Sequence, residues 1–542
     1  LKRKINRHHR EGHLDLFRSG VRDRTPGAFH DVQPPHDAFV SPTVQPIEGL
    51  TFGSKRARWV IAATVLGSGI ATLDATVVGI AIPAIGRSFH SEIGALQWVV
   101  TGYALTLASF LLLGGSLGDR IGRKKVFLVG VAWFALASAC CGFAPNAAFL
   151  IGARVLQGIG GALLAPASLA ILQASFREGD RARAIGAWSG LGGLASASGP
   201  LFGGYLISVA SWRWVFFINL PVAAAVIVLT SRHVPESRDP TATGRVDSLG
   251  AALAVATLSG LTYGLITGPS DGWTSPAVLG GLIVAGILAP IFVIVEYKRD
   301  SPMLPLAVFR SRQFSAANAV TFVVYGALGG TLFLFPVELQ IVDHYSALSS
   351  GLALLPVTAI MLSFSARSGK LAARIGPRLQ MGAGPIVVGA GLVLLTSSTH
   401  PGGYLIAIFP AVVVFGAGLA LTVAPLTATA MGAVPAEHAG VASAVNNAVA
   451  RAAGLLAVAV LPFLAGISGA AALQPKHFAA GFRIAVLIGA CTCAAGGLLA
   501  AATIQNPINP QNPGASRLRI WHCAIDGAPL QPGTTDRPTT VS

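Results

Sequence analysis

GSLGDRIGRK, residues 115–124, returns further along the chain as GKLAARIGPR, residues 369–378. Five of the ten positions match: Gly115/Gly369, Leu117/Leu371, Arg120/Arg374, Ile121/Ile375 and Gly122/Gly376. Each copy lies between two long apolar runs, so the duplicated unit is a charged loop together with its flanking apolar segments. The first copy is the denser, with Asp119, Arg120, Arg123, Lys124 and Lys125 inside seven positions. Two homologous halves follow from this pair, each with the loop between its second and third apolar segment.

The rest of the chain is built to suit such loops. Of 542 residues, 53% are apolar and 11% charged, with a mean hydropathy of +0.65, whereas soluble domains are about 25% charged. Several apolar runs exceed the roughly 20 residues that span a bilayer core. The composition excludes a string of soluble domains and indicates a polytopic helical membrane protein, in which each helix satisfies its own backbone. The net charge of +16 resides in loops and tails and indicates topology, not nucleic acid. None of the five cysteines forms a CxxC pair, and apolar filling is the expected role of those in the spans.

Apolar runs between polar breaks place fourteen spans: 59–83, 95–116, 126–145, 148–172, 183–208, 214–231, 247–267, 277–296, 314–340, 348–367, 379–398, 403–428, 439–466 and 482–504. Alternate loops carry the cations: Arg120 to Lys125, then Arg177, Arg181 and Arg183, then Arg232, Arg238 and Arg245. Lys298, Arg299, Arg310 and Arg312 follow, then Lys370, Arg374 and Arg378. The opposite loops hold Arg87, Arg213, Lys476 and Arg483. This bias puts both termini in the cytoplasm. The two copies of the loop are eight spans apart, so two extra helices separate the halves. The expected organisation is a basic, disordered cytoplasmic leader (1–58), a six-helix bundle (59–231), two additional helices (247–296), a second six-helix bundle (314–504) and a disordered cytoplasmic tail (505–542).

Three further stretches accompany the loop: LDATVVGIAIP (73–83), ARVLQGIGGA (153–162) and GLGGLASASGPLFGG (190–204). In this order and spacing the chain resembles the major facilitator superfamily, and within it the fourteen-helix drug:proton antiporters. The resemblance implies an all-α fold of two six-helix bundles plus two central helices, and multidrug efflux in exchange for protons. It implies that the first loop is a cytoplasmic gating latch, with Gly115, Gly122, Asp119 at a helix N-terminus, and Arg120 and Arg123 bonding across the gate. Gly369, Arg374 and Gly376 mark the second latch, where Ala373 replaces the aspartate. Gly190, Gly199, Pro200 and Gly203 mark the antiporter helix, and Arg154 a position implied in proton coupling. Gly79 stands where the family usually has asparagine. As residues, the glycines also permit close helix packing, and Pro200 removes a backbone hydrogen bond at a possible pivot.

Ionisable groups at membrane depth cost about 2.5–3.5 kcal/mol on insertion scales and are functional suspects by default. Asp74 lies near the midplane of the first span and is the expected proton carrier, with a static partnership to Arg154 as the alternative. Arg451 lies mid-span in the thirteenth, after Asn446 and Asn447, while Glu338 falls near the outer end of the ninth, where it is expected to reach water. Candidate cavity residues are Gln97, Tyr103, Gln157, Asn318, Tyr325, Gln340, Asn446 and Arg451; helix-to-helix bonding accounts for them equally. The expected activity is secondary active export of small amphipathic or hydrophobic compounds. The partners are that substrate, protons and the bilayer, and a monomer without cofactor, metal or nucleic acid is expected. No GxxxxGK[ST] loop is present to argue for ATP drive. Transport of a metabolite or lipid is the alternative; a lipid enzyme would need a clustered acid or histidine set, and a scaffold has no particular sequence support.

Overall fold

Polar caps decide where these apolar helices begin. Ser54 accepts the Ala57 amide, Asn146 that of Phe149, Asp247 that of Gly250, Ser275 that of Val278, Ser311 that of Phe314 and Ser346 that of Ser349, satisfying donors that a helix start leaves unpaired. The computed structural model describes residues 49–238, 246–299, 302–397, 403–435, 439–469 and 472–506. Residues 1–48, Arg245, and the tail from 507 with Cys523 lie outside the described residues.

The helices among the described residues are α1 (Lys55–Phe89), α2 (Ile93–Ile121), α3 (Arg123–Gly142), α4 (Ala147–Ser175), α5 (Glu178–Val209), α6 (Trp214–His233), α7 (Ser248–Asp271) and α8 (Pro276–Lys298). They continue as α9 (Arg312–Ile341), α10 (Ala347–Ile375), α11 (Pro377–Leu394), α12 (Tyr404–Gly432), α13 (Ala439–Leu464) and α14 (Pro475–Thr503). Every span read from the sequence has its helix. Twelve are long and apolar enough to cross a membrane by themselves. The others are α5, diluted by glycine and serine, and α11, which has only 18 residues and opens with Arg378 and Gln380. The boundary at residue 59 falls inside α1, because Leu50 already pairs with the backbone of Ser175 and Arg177, and Phe52 donates to Asp180. Residues 49–58 therefore belong to the folded part.

The duplication is visible in the packing. α2 and α3 pack on α4, α1 packs on α5 and α6, and α3 touches α6. Eight helices later, α10 and α11 pack on α12, α9 packs on α13 and α14, and α11 touches α14. α7 lies against α2 and α13 and carries α8 on its outside; Ile283, Ile287 and Ile294 of α8 are exposed, as suits a lipid-facing surface. One hydrophobic core joins residues of α1 to α4 and α6 remote from the 119–125 loop, among them Ile82, Leu96 and Phe216, to the buried residues of the last six helices. The loop-end core of the first six helices, around Phe127 and Phe176, is separate. The two halves are thus fused at the end opposite the loop, the far end.

The two copies of the loop turn alike. Gly122 has φ 129° and Gly376 has φ 87°, a region glycine enters at no steric cost. A side chain at Gly122 would overlap the Glu236 carboxylate, and one at Gly376 the Asn506 amide. Glu236 accepts the Lys124 amide at 3.1 Å, and Asn506 accepts the Arg378 amide at 3.0 Å. Each half therefore uses the chain just beyond its own sixth helix to cap its third.

Interior fit yields a paired test on α4. A Cβ on Gly158 would stand 2.1 Å from Thr106 Oγ1 and 2.3 Å from the Tyr103 carbonyl oxygen, whereas one on Gly152 would meet nothing within 4 Å. Gly158→Ala should lower stability by about 1–3 kcal/mol through overpacking of α2 on α4. Gly152→Ala should raise it by up to about 1 kcal/mol through helix propensity. Thermal unfolding in detergent reads both; equal shifts would contradict the packing.

Candidate functional site

Asp74 and Arg154 are both wholly buried, at 0% and 1% exposure, and are joined directly through Arg154 Nη1 and Asp74 Oδ2. Asp74 Oδ1 accepts from Gln157 Nε2 at 2.9 Å and from Asn219 Nδ2 at 3.0 Å. Arg154 also donates from Nε to the Val99 carbonyl at 3.1 Å and from Nη1 to Gln157 Oε1 at 2.6 Å. Its guanidinium lies 4.2 Å over the Tyr103 ring, and the Tyr103 hydroxyl donates to the Ala71 carbonyl. Ser138 Oγ, which accepts from both Gln157 and Asn219, closes the network. Side chains from α1, α3, α4 and α6, with a carbonyl and a ring from α2, thus converge on one ion pair. Arg154 and Gln157 meet it together because they are three residues apart on one helix face.

Of the cavity candidates, Gln157 and Tyr103 join this network. Others are ties between helices: Gln97 Nε2 donates to the Val458 carbonyl at 2.7 Å, Gln340 Nε2 to Ile80 at 3.0 Å, and Asn446 Nδ2 to Asn318 Oδ1 and Thr321 Oγ1. Gln97 and Gln340 are among the contacts that seal the far end. Tyr325 and Arg451 form no such tie among the described residues. Ser138 and Asn219 escaped the sequence reading. Asn219, a polar residue inside FFINLPV, was detectable by the rule that singled out the charges; a serine among small residues carries no signal.

Asp119, Arg123 and Lys124 of the loop are held within their own half. Asp119 stands in the last turn of α2 and pairs with Arg123 at 2.7 Å, so its carboxylate meets a guanidinium and not a helix N-terminus. A carboxylate is unfavourable at a helix C-terminus, and the arginine one turn later offsets it. Arg120 closes α2 beside it, and the Arg123 amide donates to the Ser237 carbonyl at 2.9 Å. In the second copy Ala373 and Pro377 occupy the Asp119 and Arg123 positions, which removes this ion pair. In the first copy Gly115 approaches Pro166, while in the second Gly369 lies opposite Ala424 and Arg374 is exposed.

On α5, which includes Gly190, a Cβ on Gly199 would collide with Thr76 Oγ1 of α1 and one on Gly203 with Val77. The next small residue faces the other half: a Cβ on Gly204 would be 2.6 Å from the Ala347 carbonyl oxygen, and one on Gly351 would be 2.2 Å from that of Pro200. α5 and α10 therefore cross backbone to backbone at the far end. Nearby, Glu338 does not reach water. It is wholly buried, and neither carboxylate oxygen has a hydrogen-bond partner among the described residues. The turn that follows covers it, with the Val342 and Asp343 amides returning to its own carbonyl.

The model of the Major Facilitator Superfamily matches residues 64–458. The chain is 37% identical over 414 residues to the multidrug resistance protein Stp of Mycobacterium tuberculosis, covering 76% of each. It is 36% identical to the tetracenomycin C resistance and export protein of Streptomyces glaucescens, covering 74% of each, and 36% identical to the methylenomycin A resistance protein of Bacillus subtilis, covering 73% of this chain and 84% of that one. Among solved structures, a bacterial homologue of the human lysosomal transporter Spinster, inward-facing and unoccupied, superposes with a TM-score of 0.59 at 17% identity, over 83% of this chain and 98% of that one. A D-xylose-proton symporter gives 0.58 at 14%, with the same coverage.

Two stability tests follow from these contacts. Breaking a buried ion pair from one side costs about 3–5 kcal/mol, so Asp74→Asn should lower the thermal midpoint sharply. Asn219→Ala should cost about 1–3 kcal/mol through the donor it removes. Pairing Asp74→Asn with Arg154→Gln should cost much less than the sum, and additive losses would mean the two residues act independently. Separately, burial pushes the Asp343 carboxyl up to about 6, against the opposing charge of His344. A carboxyl raised above its unfolded value of about 3.9 contributes stability at low pH that is lost as pH rises through the folded value. Asp343→Asn should therefore raise the midpoint at pH 8 and leave it unchanged at pH 4; a gain that is equal at both would contradict the assignment.

Proposed function

Since the chain belongs to the Major Facilitator Superfamily, we propose that it is a secondary transporter that exports small amphipathic or hydrophobic compounds across the cytoplasmic membrane in exchange for protons. The observation that carries this reading is the buried Asp74–Arg154 pair. The resistance and export functions in the names of its relatives support the cargo class.

The proposed organisation has fourteen crossings, two six-helix domains at 59–231 and 314–504, the added pair at 247–296 and both termini in the cytoplasm. The Lys/Arg bias supports that orientation. With it, the far end is the outer end, and a structure fused there is in the inward-facing state. A compound enters from the cytoplasm between the halves, the halves rock, and the α5–α10 crossing parts to release it outside. A proton then reaches Asp74. Neutralising that carboxylate takes away the counter-charge of Arg154, which must find other acceptors, and this repacking of α1 against α4 biases the return. The latch loops guard the cytoplasmic end during the cycle, and the protein works as a monomer.

Proton release from reconstituted protein on adding a panel of amphipathic compounds tests the coupling. Release by the wild type and its loss in Asp74→Asn is the expected result. Binding without release, unchanged in the variant, would leave Asp74 a structural role and make transport uncoupled. A second test addresses the gate. Gly351→Val has no room against Pro200 and should hold α5 and α10 apart, lengthening the distance between spin labels at 202 and 352 and slowing export. An unaltered distance would remove the crossing from the gate.

A further inference from the structure

The two arginines at membrane depth differ in what they touch. Arg154 has a carboxylate, a carbonyl, an amide oxygen and an aromatic face. Arg451, near the middle of α13, has no hydrogen bond or ion pair among the described residues, and its Nε is buried without a partner. The groups that reach it electrostatically are the phenols of Tyr103 on α2 and Tyr325 on α9; no carboxylate is among them. An arginine stays charged in a protein, and an isolated charge at that depth is costly. A guanidinium also presents a fork of donors suited to two oxygens of one anion.

The immediate surroundings suit an amphiphile. Arg451 shares its helix face with Asn447, one turn earlier and exposed. Tyr325 brings a half-buried ring and a hydroxyl that no hydrogen bond occupies among the described residues. Tyr103 is shared with the coupling network, since Arg154 covers its ring.

We propose that Arg451 is the anion-binding residue of the transport cavity, and that its ligands carry an oxyanion, a carboxylate, phenolate or phosphate, on an apolar body. This rests on the export reading above and narrows its cargo. Exchange of one proton inward for one monoanion outward moves two positive charges inward, so the membrane potential would drive such export along with the pH gradient. Export of a monocation by the same exchange would move none.

The test uses three pyrene probes of one shape and different charge, pyrenebutyrate, pyrenebutanol and pyrenebutylamine, titrated onto the full chain in phosphatidylcholine nanodiscs with empty discs as blank. The carboxylate should bind about tenfold more tightly than the alcohol. Arg451→Gln should abolish that preference while leaving the alcohol within about twofold, and Arg451→Lys should keep part of it. Equal binding of all three by the wild type, or a preference that survives in Arg451→Gln, overturns the proposal while leaving export intact. Failure of all three probes to bind overturns the transport cavity itself. Discs containing phosphatidylglycerol separate the sources of the oxyanion: weakened pyrenebutyrate binding that depends on Arg451 assigns the site to a lipid phosphate, and unchanged binding assigns it to small acids. Removing an unpaired charge should leave the ligand-free thermal midpoint of Arg451→Gln unchanged or higher. A fall of several degrees would make Arg451 a structural tie and overturn the proposal.

Discussion

A carboxylate and a guanidinium locked together at membrane depth constrain everything around them. Either alone is costly in that environment, and a buried pair is stable only when its remaining donors and acceptors are met as well. Here α3, α4 and α6 supply those partners, α2 supplies a carbonyl and an aromatic face, and α1 carries the carboxylate. The first six helices are therefore fixed relative to one another by polar geometry as well as by fit. The last six have a milder equivalent in Asn318, Thr321 and Asn446, which tie α9 to α13 without charge. In the proposed cycle the half with the charge pair is the one that protonation of Asp74 repacks.

The fold was almost wholly legible in the sequence, because lipid imposes a simple rule on chain that crosses it. Apolar runs, polar breaks and a repeated loop located the helices among the described residues, and the eight-span offset of the loop is the sequence's argument for α7 and α8 as an added pair. The site was legible in its charges and obscure in its neutral partners. Asp74 and Arg154 are conspicuous in apolar runs, but a serine such as Ser138 is compatible with any helix interior. The polar residues offered as cavity lining show why residue type alone could not sort them. Gln97 and Gln340 are polar at depth for the same reason as a ligand contact would be, yet they bond carbonyls across the junction of the halves.

The repeat also hid part of its meaning. Gly122 and Gly376 were readable as turn residues, but what fills the space beside them is not in the repeat. Glu236 and Asn506 lie after the sixth and fourteenth helices and have no surrounding sequence similarity to advertise them. Their equivalence is one of position: the end of each half returns to cap its third helix. One cap is a carboxylate and the other an amide, matching a first loop rich in charge and a second that has lost its aspartate. A helix N-terminus prefers an anion, so the first cap is the stronger.

The contrast between Arg154 and Arg451 carries the functional argument furthest. The same side chain is saturated in one half and without a hydrogen-bond partner among the described residues in the other, with the Tyr103 ring near both. A saturated guanidinium can respond only when its carboxylate changes charge, whereas a vacant one responds to whatever anion arrives. Protonation of Asp74 would leave Arg154 its Val99 and Gln157 partners but no counter-charge, adding a second uncompensated cation near Tyr103. In the proposed cycle the cavity would then hold its greatest positive charge just as the proton is bound. Repulsion between two such arginines favours moving the halves apart at one end, while an anion lying between them favours drawing them together. Proton and oxyanion would thus bias the two halves in opposite senses through the same pair of charges.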